Sequence, residues 1–370
     1  MATTTYLILV NRVLNDLNEV ELTSSTFSSS RGIQTSVKTF VNRAIHEIYN
    51  TLSEVPDLYK STTQDTNAGQ RAYSLPASAS PQSGDLAYRK IDWDTFRLVP
   101  KELVTNGEFT SNINSWTTIA GSGSAAYNSG GNGRARLNDY AIYQSLSTVK
   151  NTTYRLQVKV FDSESTGQAL KVQVGTSAEN TTNLNETLSV TNFREGAILE
   201  TTFDATVATT YITLNNPSTA TNMDVDYVRI SEAIPVRRLR YITYDDWMKR
   251  YSEADLANLD SSLGRPTFVY HTQDKKFGLS PVPDKSNYTI QYEYWKIHTD
   301  LSAHGDTPDL DDRFMNTIVS KAKYYAYMLR SDVQSAGLAF RDYKEMLGQL
   351  QKEYISCLLY TSPSPRDRTR

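Results

Sequence analysis

TNGEFTSNINSWTT (residues 105–118) and MDVDYVRI (residues 223–230) open and close a stretch written in a different style from the sequence around it. The stretch is rich in Thr, Ser and Asn. Residues 103–232 carry 8 Lys/Arg and 12 Asp/Glu in 130 positions, whereas the other 240 positions carry 59 charges. At 370 residues the chain exceeds the size at which single cores usually stop growing, so two domains are expected. A sparsely charged module spliced into a charged host satisfies that expectation. The divisions it predicts are residues 1–102 and 233–356 for the two halves of the host and 103–232 for the insert.

Inside the insert, YRLQVKVF (154–161), ALKVQVG (169–175), TTYITLNN (209–216) and MDVDYVRI alternate apolar and polar residues between Gly-, Asn- or Ser-rich turns. Short, regularly spaced strands of this kind predict an all-β sandwich or jelly roll. Its ends, ELVTNGEF (102–109) and DYVRIS (226–231), are suited to pair as neighbouring strands, which insertion into a host loop requires.

The host reads differently. Leu9, Val13, Leu14, Leu17 and Val20 form one helical stripe, and Ile33, Val37, Phe40, Val41, Ala44, Ile45, Ile48 and Leu52 a longer one, with Ser28 to Ser30 as its expected cap. Short strands are expected around Ile91, Trp93, Phe96 and Leu98. Their partners come after the insert, in VRRLRYITYDDWMKRY (236–251), PTFVYHTQ (266–273), DKKFGLSPVPD (274–284) and NYTIQYEYWKIHTDL (287–301), as an antiparallel meander. Phe314, Ile318, Val319, Ala322, Ala326 and Leu329 return to helix. A capping box at Ser331 to Gln334 then starts a last helix through Leu338, Met346, Leu347, Leu350 and Tyr354. The predicted class is α+β: a helical domain with a small antiparallel sheet, interrupted by a jelly-roll sandwich.

A net charge of −3 gives no global attraction to nucleic acid, so any DNA contact is local or topological. The dense basic cluster is Arg237, Arg238 and Arg240, which suits DNA or an acidic neighbouring subunit, and which a solvated strand edge explains equally well. Abundant tyrosine, 24 in all, suits protein interfaces. The single cysteine, Cys357, lies in CLLYTSPSPRDRTR (357–370), which resembles a sequencing-library adapter translated in one frame. That tail is expected to be non-native, with the natural C-terminus lost. The apolar run Tyr6 to Val10 lacks the flanks of a signal peptide, and no run of about 18 apolar residues exists to span a bilayer.

Catalytic signals are weak. Asp92/Asp94, Asp245/Asp246 and Asp309/Asp311/Asp312 are paired acids, but a glycosidase needs two carboxylates about 5 to 9.5 Å apart across a sugar, and Asp309 to Asp312 fit a helix start better. His46, His271, His298 and His304 lack metal-ligand spacing, and no nucleophile or phosphate-loop motif is present.

The segments at 26–50, 91–98, 244–251, 264–270, 277–296 and 318–347 together resemble the head-to-tail adaptor (tail tubular protein A-like) family of short-tailed phages, across nearly all of the host. The resemblance implies a non-enzymatic virion protein made in the host cytoplasm, neither secreted nor membrane-bound. It implies a ring of about a dozen copies at the head-tail junction, between a portal ring and a tail nozzle or tube protein, with DNA passing through without sequence specificity.

The order TNGEF, NINSW, AIYQSLSTVKNTTYRLQVKV (141–160) and MDVDYVRI resembles carbohydrate-binding modules of the galactose-binding-like superfamily. That likeness implies glycan binding through aromatic faces, with Trp116, Tyr127, Tyr140 and Tyr143 as candidates. Trp116 fits a core plug better than a sugar platform, and the tyrosines fit either role. It also implies a structural calcium at Glu108 and Asp226, although Thr110 stands where an acid is common. No other cofactor is expected. The competing expectation is a carbohydrate-active surface protein or depolymerase led by the insert.

Overall fold

The structure, a computed structural model, describes residues 4–52, 55–76, 88–119, 123–129, 133–162, 169–190, 195–218, 222–257 and 259–361. It divides into unit 1 (Met1–Thr62, Ser74–Trp93, Tyr292–Arg370) and unit 2 (Thr63–Tyr73, Asp94–Gln291). The adapter-like tail falls partly outside the described residues, beyond Thr361. Among the described residues no helix is long and apolar enough to cross a membrane.

Helices α1 (Tyr6–Asp16), α2 (Ile33–Thr51), α3 (Tyr244–Arg250), α4 (Ser252–Ala257), α5 (Met315–Leu329) and α6 (Val333–Thr361) alternate with eighteen strands among the described residues. Strands β1 (Tyr59–Asp65), β2 (Ala72–Ser74) and β3 (Tyr88–Pro100) come first. Ten more follow in residues 103–232: β4 (Thr117–Ile119), β5 (Ser124–Asn128), β6 (Arg134–Asn138), β7 (Tyr140–Ser147), β8 (Thr153–Asp162), β9 (Ala169–Gly175), β10 (Leu184–Ser189), β11 (Ala197–Asp204), β12 (Thr209–Asn216) and β13 (Met223–Glu232). The last five are β14 (Arg237–Arg238), β15 (Arg240–Tyr241), β16 (Phe268–His271), β17 (Lys276–Ser280) and β18 (Tyr288–Lys296).

Unit 1 is built on α1, α2, α5 and α6, whose apolar stripes meet in one core containing Leu9, Val13, Val41, Ile45, Ile48, Ile318, Ala322 and Leu350. The helical periodicity of the sequence is what puts these side chains on one side of each helix. Lys321 of α5 is buried in that core. Its ammonium lies 2.5 Å from Glu47 of α2 and within 4.6 to 5.2 Å of the rings of Tyr324, Tyr325, Phe340 and Tyr343. Carboxylate and ring faces together replace the water the ammonium has lost.

Two expected caps fall elsewhere. Helix α2 starts from Gly32, at φ 56°, without a side-chain cap, while Phe27 to Ser29 form a separate 3-10 turn that buries Phe27 against Tyr6. Helix α6 is capped by Asp332, whose carboxylate accepts the Ser335 N–H at 3.0 Å, because Ser331 takes a left-handed φ of 59° in the turn after α5. The acids before α5 also divide their roles. Asp311 accepts the Arg313 N–H at 2.9 Å, whereas Asp309 holds Lys296 at 2.7 Å and His298 at 3.0 Å.

The strands outside 103–232 form two four-stranded sheets, ordered β1-β18-β3-β14 and β15-β16-β17-β2. The expectation is a single meander with residues 236–251 as one of its strands, but only Arg237–Arg238 and Arg240–Tyr241 of that stretch are strand, and from Tyr244 it is helix α3, because the Thr243 side chain caps a helix start by accepting the Asp246 N–H. Strands β16 and β17 do form an antiparallel pair, with Phe268 opposite Ser280, but β18 leaves for the other sheet, and β15 joins β16 in parallel. Strand partners lie far apart in sequence, so turn chemistry alone does not fix them.

In unit 2, Trp247 of α3 stacks on Tyr270 of β16 at 4.5 Å and 14°, and its indole N–H donates to buried Asp255 at 2.7 Å. Gly278 of β17 faces that Tyr270 ring: a Cβ there would come within 2.2 Å of it. Residues 103–232 form two antiparallel five-stranded sheets, β10-β9-β12-β7-β4 and β11-β8-β13-β6-β5. Leu137, Leu156, Val158, Val172, Ile212, Leu214 and Val228 fill the space between them as one core. The two ends meet as the sequence pattern suggests, with the Leu103 N–H donating to Ile230 O at 2.8 Å.

Candidate functional site

Strands β7, β9 and β12 turn Ile142, Gln144, Leu146, Leu170, Val172, Val174, Ile212 and Leu214 into the sandwich. A strand's period of two then places the intervening residues on the outer face of the sheet. Register lines these up across five strands. One row runs Thr117, Tyr143, Thr213, Gln173, Asn185, and the next runs Ile119, Ala141, Asn215, Lys171, Thr187. Tyr211, one step beyond Thr213, brings its ring to 6.1 Å from Tyr143 at an interplanar angle of 45°. The face therefore offers two tilted aromatic rings beside amides and hydroxyls. Gln173 Oε1 is buried there without a hydrogen-bond partner, an acceptor with an unmet need.

Where β7 begins and β12 ends, this face runs into a pocket of about 170 Å³ lined by Ile119, Asp139, Tyr140, Ala141, Glu179, Asn215 and Pro217. The Glu179 N–H donates to the Thr213 hydroxyl at 2.9 Å, and the Asp139 N–H to Ser218 O at 2.9 Å, so both acidic residues are tied to the face by their backbones.

The four aromatic candidates separate. Tyr143 lies on the face and Tyr140 lines its pocket. Trp116 is 7 % exposed, packs on Phe109 at 5.5 Å and donates its indole N–H to Asn106 O, as a core residue does. Tyr127 belongs to β5 of the opposite sheet, and its hydroxyl donates to Thr110 O at 3.0 Å. Tyr211 and Gln173 were missed by sequence reading. The alternation in TTYITLNN and ALKVQVG would have placed both on the face opposite the apolar residues.

Glu108 and Asp226 do not suit a calcium ion here. Glu108 pairs with Arg229 at 2.7 Å, a hydrogen bond that raises the guanidinium pKa further. Asp226 is met by Arg134 at 3.3 Å and Lys159 at 3.2 Å. Calcium needs about 6 to 8 oxygens, and these carboxylates are already neutralised by cations. Among the described residues no group of three or more His, Cys, Asp or Glu is placed to hold a metal.

Arg237, Arg238 and Arg240 are all exposed, on a segment that edges both four-stranded sheets of the host. Arg237 and Arg238 pair with Leu98 and Arg97 of β3, while Arg240 and Tyr241 pair with Phe268 and Val269 of β16. Buried Leu239 anchors the crossover. Arg238 reaches Asp94 at 3.1 Å. Beside them a cavity of about 470 Å³ is lined by Asp94, Arg238, Leu239, Arg240 and Tyr241.

Among solved structures, the chain is similar to a xylan-binding domain from Paenibacillus barcinonensis, a family 22 carbohydrate-binding module, at 13% identity and TM-score 0.31, covering 37% of this chain and 97% of that one. It is similar to the N-terminal cellulose-binding domain of a β-1,4-glucanase from Cellulomonas fimi at 16% identity and TM-score 0.30, covering 36% and 98%. A third similar structure is a family 61 carbohydrate-binding module in complex with β-1,4-galactotriose, at 11% identity and TM-score 0.29, covering 36% and 99%. No curated protein matches the chain. The family model for the SU10 adaptor protein matches residues 176–365, from within the sandwich through α6. The chain thus belongs to the SU10 adaptor protein family of phage head-tail adaptors.

Proposed function

We propose that this adaptor works as a ring of about a dozen copies at the head-tail junction of a virion, with a portal ring on one side, a tail nozzle or tube protein on the other, and DNA passing through the channel without sequence readout. It is made in the host cytoplasm and acts structurally rather than catalytically. Family membership supports the adaptor role. The observation that supports assembly is exposed apolar surface: Val236, Met248, Leu256 and Leu259 in unit 2, and Met328, Leu329, Val333 and Leu338 in unit 1, are 46 to 71 % exposed. Met328, Leu329 and Val333 gather where α5 gives way to α6, and exposed apolar side chains gathered in one place favour burial against another subunit. Arg237, Arg238 and Arg240 would meet DNA or an acidic neighbouring subunit.

Residues 103–232 add glycan binding through the outer face that carries Tyr143 and Tyr211. A depolymerase finds less support, because the paired acids have structural partners: Asp92 accepts from Tyr59, Asp246 closes the first turn of α3 with Thr243, and Asp309 holds Lys296. Electron micrographs of the purified protein, alone and mixed with portal rings, test the assembly. Rings or ring-on-ring particles are expected, and free monomers in both samples would refute it.

A further inference from the structure

We propose that Val20 and Glu21 of one copy dock into the arginine-lined groove beside β15 of the next copy, a head-to-tail contact that rests on the ring-assembly reading and takes the basic cluster for a neighbouring subunit rather than for DNA. The groove is two adjoining cavities that share Arg240 and Tyr241. The one of about 470 Å³ sets Arg238 and Arg240 against Asp94, and the one of about 300 Å³ sets Arg240 and Arg250 against Asp246, so each has a cation in surplus. Asp94 is engaged by Arg238 at 3.1 Å and Asp246 by the Thr243 hydroxyl at 2.9 Å, which leaves the Arg240 and Arg250 guanidiniums to receive another carboxylate. The smaller cavity also has an apolar side: Ile242, with Tyr251 and Phe268, whose rings lie 5.1 Å apart. A DNA backbone offers phosphates and would use the guanidiniums alone. A peptide that sets an apolar residue beside an acid uses both halves of the lining.

The chain carries such a peptide. Val20 is 76 % exposed, more than any other large aliphatic side chain among the described residues, and Glu21 follows it. Both lie in the link between α1 and the 3-10 turn at Phe27–Ser29. Hydrogen bonds fix the backbone of that link on both sides of them: the Glu19 N–H donates to Leu14 O at 2.9 Å, the Gln34 amide to Val20 O at 3.1 Å, and the Leu22 N–H to Asn11 Oδ1 at 2.9 Å. A side chain held in water by a fixed backbone has little ordering cost left when it binds. Arg330 neutralises Glu19, whereas Glu21 meets the uncharged Asn15 amide and keeps its charge for a partner.

The same arginine ties the link to the end of α5: Arg330 donates to Leu17 O at 2.9 Å, and the Tyr327 hydroxyl donates to Asp16 O at 3.1 Å. Val20 therefore stands at the end of the helical bundle where Met328, Leu329 and Val333 are exposed, which widens the apolar surface that a next copy can cover. The presenting surface belongs to unit 1 and the receiving groove to unit 2, so two copies meet through different patches. A heterologous contact of this kind repeats from copy to copy and closes into a ring when the rotation allows. Glu21 against the guanidiniums sets the register, and burial of Val20 adds attraction.

The test uses the full chain, alone and mixed with portal rings, with rings counted in electron micrographs and smaller species sized by analytical ultracentrifugation. The unaltered protein is expected to form rings. Val20→Asp with Glu21→Lys, which spoils the segment, and Arg240→Glu with Arg250→Glu, which spoils the groove, should each lower the ring count at least tenfold. When the two variants are mixed, each keeps the surface that the other lacks, so they should form pairs that grow no further, a result that a folding defect would not give. A full ring count from either variant, or no pairs in their mixture, overturns the contact while leaving assembly intact. An unchanged ring count in the arginine variant together with lost retention on a DNA column overturns it in favour of DNA. No rings from the unaltered protein in either sample overturns assembly and the contact with it.

Discussion

Asp309 is the residue whose environment makes the clearest statement about pH. Burial by itself would raise its pKa, but hydrogen bonds from His298 and Lys296, with the charge of Lys296, outweigh it and bring the carboxyl to about 2. A depressed carboxylate contributes stability that is present above the unfolded value near 4 and is lost as pH falls through the folded one. With solvent screening of a partly exposed group, the contribution is about 1 kcal/mol. Asp309→Asn should therefore melt a few degrees lower at pH 7, and the gap between it and the unaltered protein should close between about pH 4 and pH 2, as followed by thermal melts across that range. A gap constant down to pH 2 would show that the ionised pair carries none of it. At this scale the sequence was partly readable. The acids before α5 mark a helix start, but whether a given acid caps or pairs depends on Lys296 and His298, which fold back from β18 and the turn after it.

At the scale of elements, Lys321 ties three helices together. It sits on α5, its carboxylate comes from α2, and two of its four rings, Phe340 and Tyr343, come from α6. Lys321→Met fills similar volume but leaves Glu47 without its ammonium, so unfolding by urea should show a loss of about 2 kcal/mol. Exposed Arg341→Met on α6 should change stability by less than about 0.5 kcal/mol. Equal effects would mean that the buried ammonium is incidental. The stripes of α1, α2 and α5 were legible because burial in a helix follows a 3.6-residue period, and Val20, at 76 % exposed, fell outside only because α1 ends at Asp16. Caps were less legible, since Gly32 and Ser331 take left-handed backbone angles that composition does not encode. Sheet order was not legible at all. Nothing local to NYTIQYEYWK says that it pairs with β1 and β3 rather than with the preceding strand.

At the scale of the whole molecule, we propose residues 103–232 as a separable module, because its ends meet at the Glu102 bridge to Ser231 and at the Leu103 bond to Ile230. Replacing those residues with a short Gly/Ser linker should give a soluble protein with the circular dichroism of a helix-rich fold. An unfolded product would mean that the sandwich is part of the host core, and the Lys285 to Glu232 contact, at 3.1 Å, is one place where the two would depend on each other. The composition shift made the sandwich legible from sequence, whereas the site on it was only half so. Tyr143 and Tyr140 stood out as aromatics and Trp116 already read as a core plug, but Tyr127 looked like the other tyrosines until its place on the opposite sheet was known, and the pocket acids come from turns far apart in sequence. For the whole molecule we propose an assembling adaptor that binds glycan without cutting it. Its most direct test is one co-sedimentation of the protein with portal rings and cell-surface polysaccharide, with the polysaccharide then sized by chromatography. Protein in the pellet with the portal and polysaccharide of unchanged length are expected, and shortened polysaccharide with no portal binding would overturn that role.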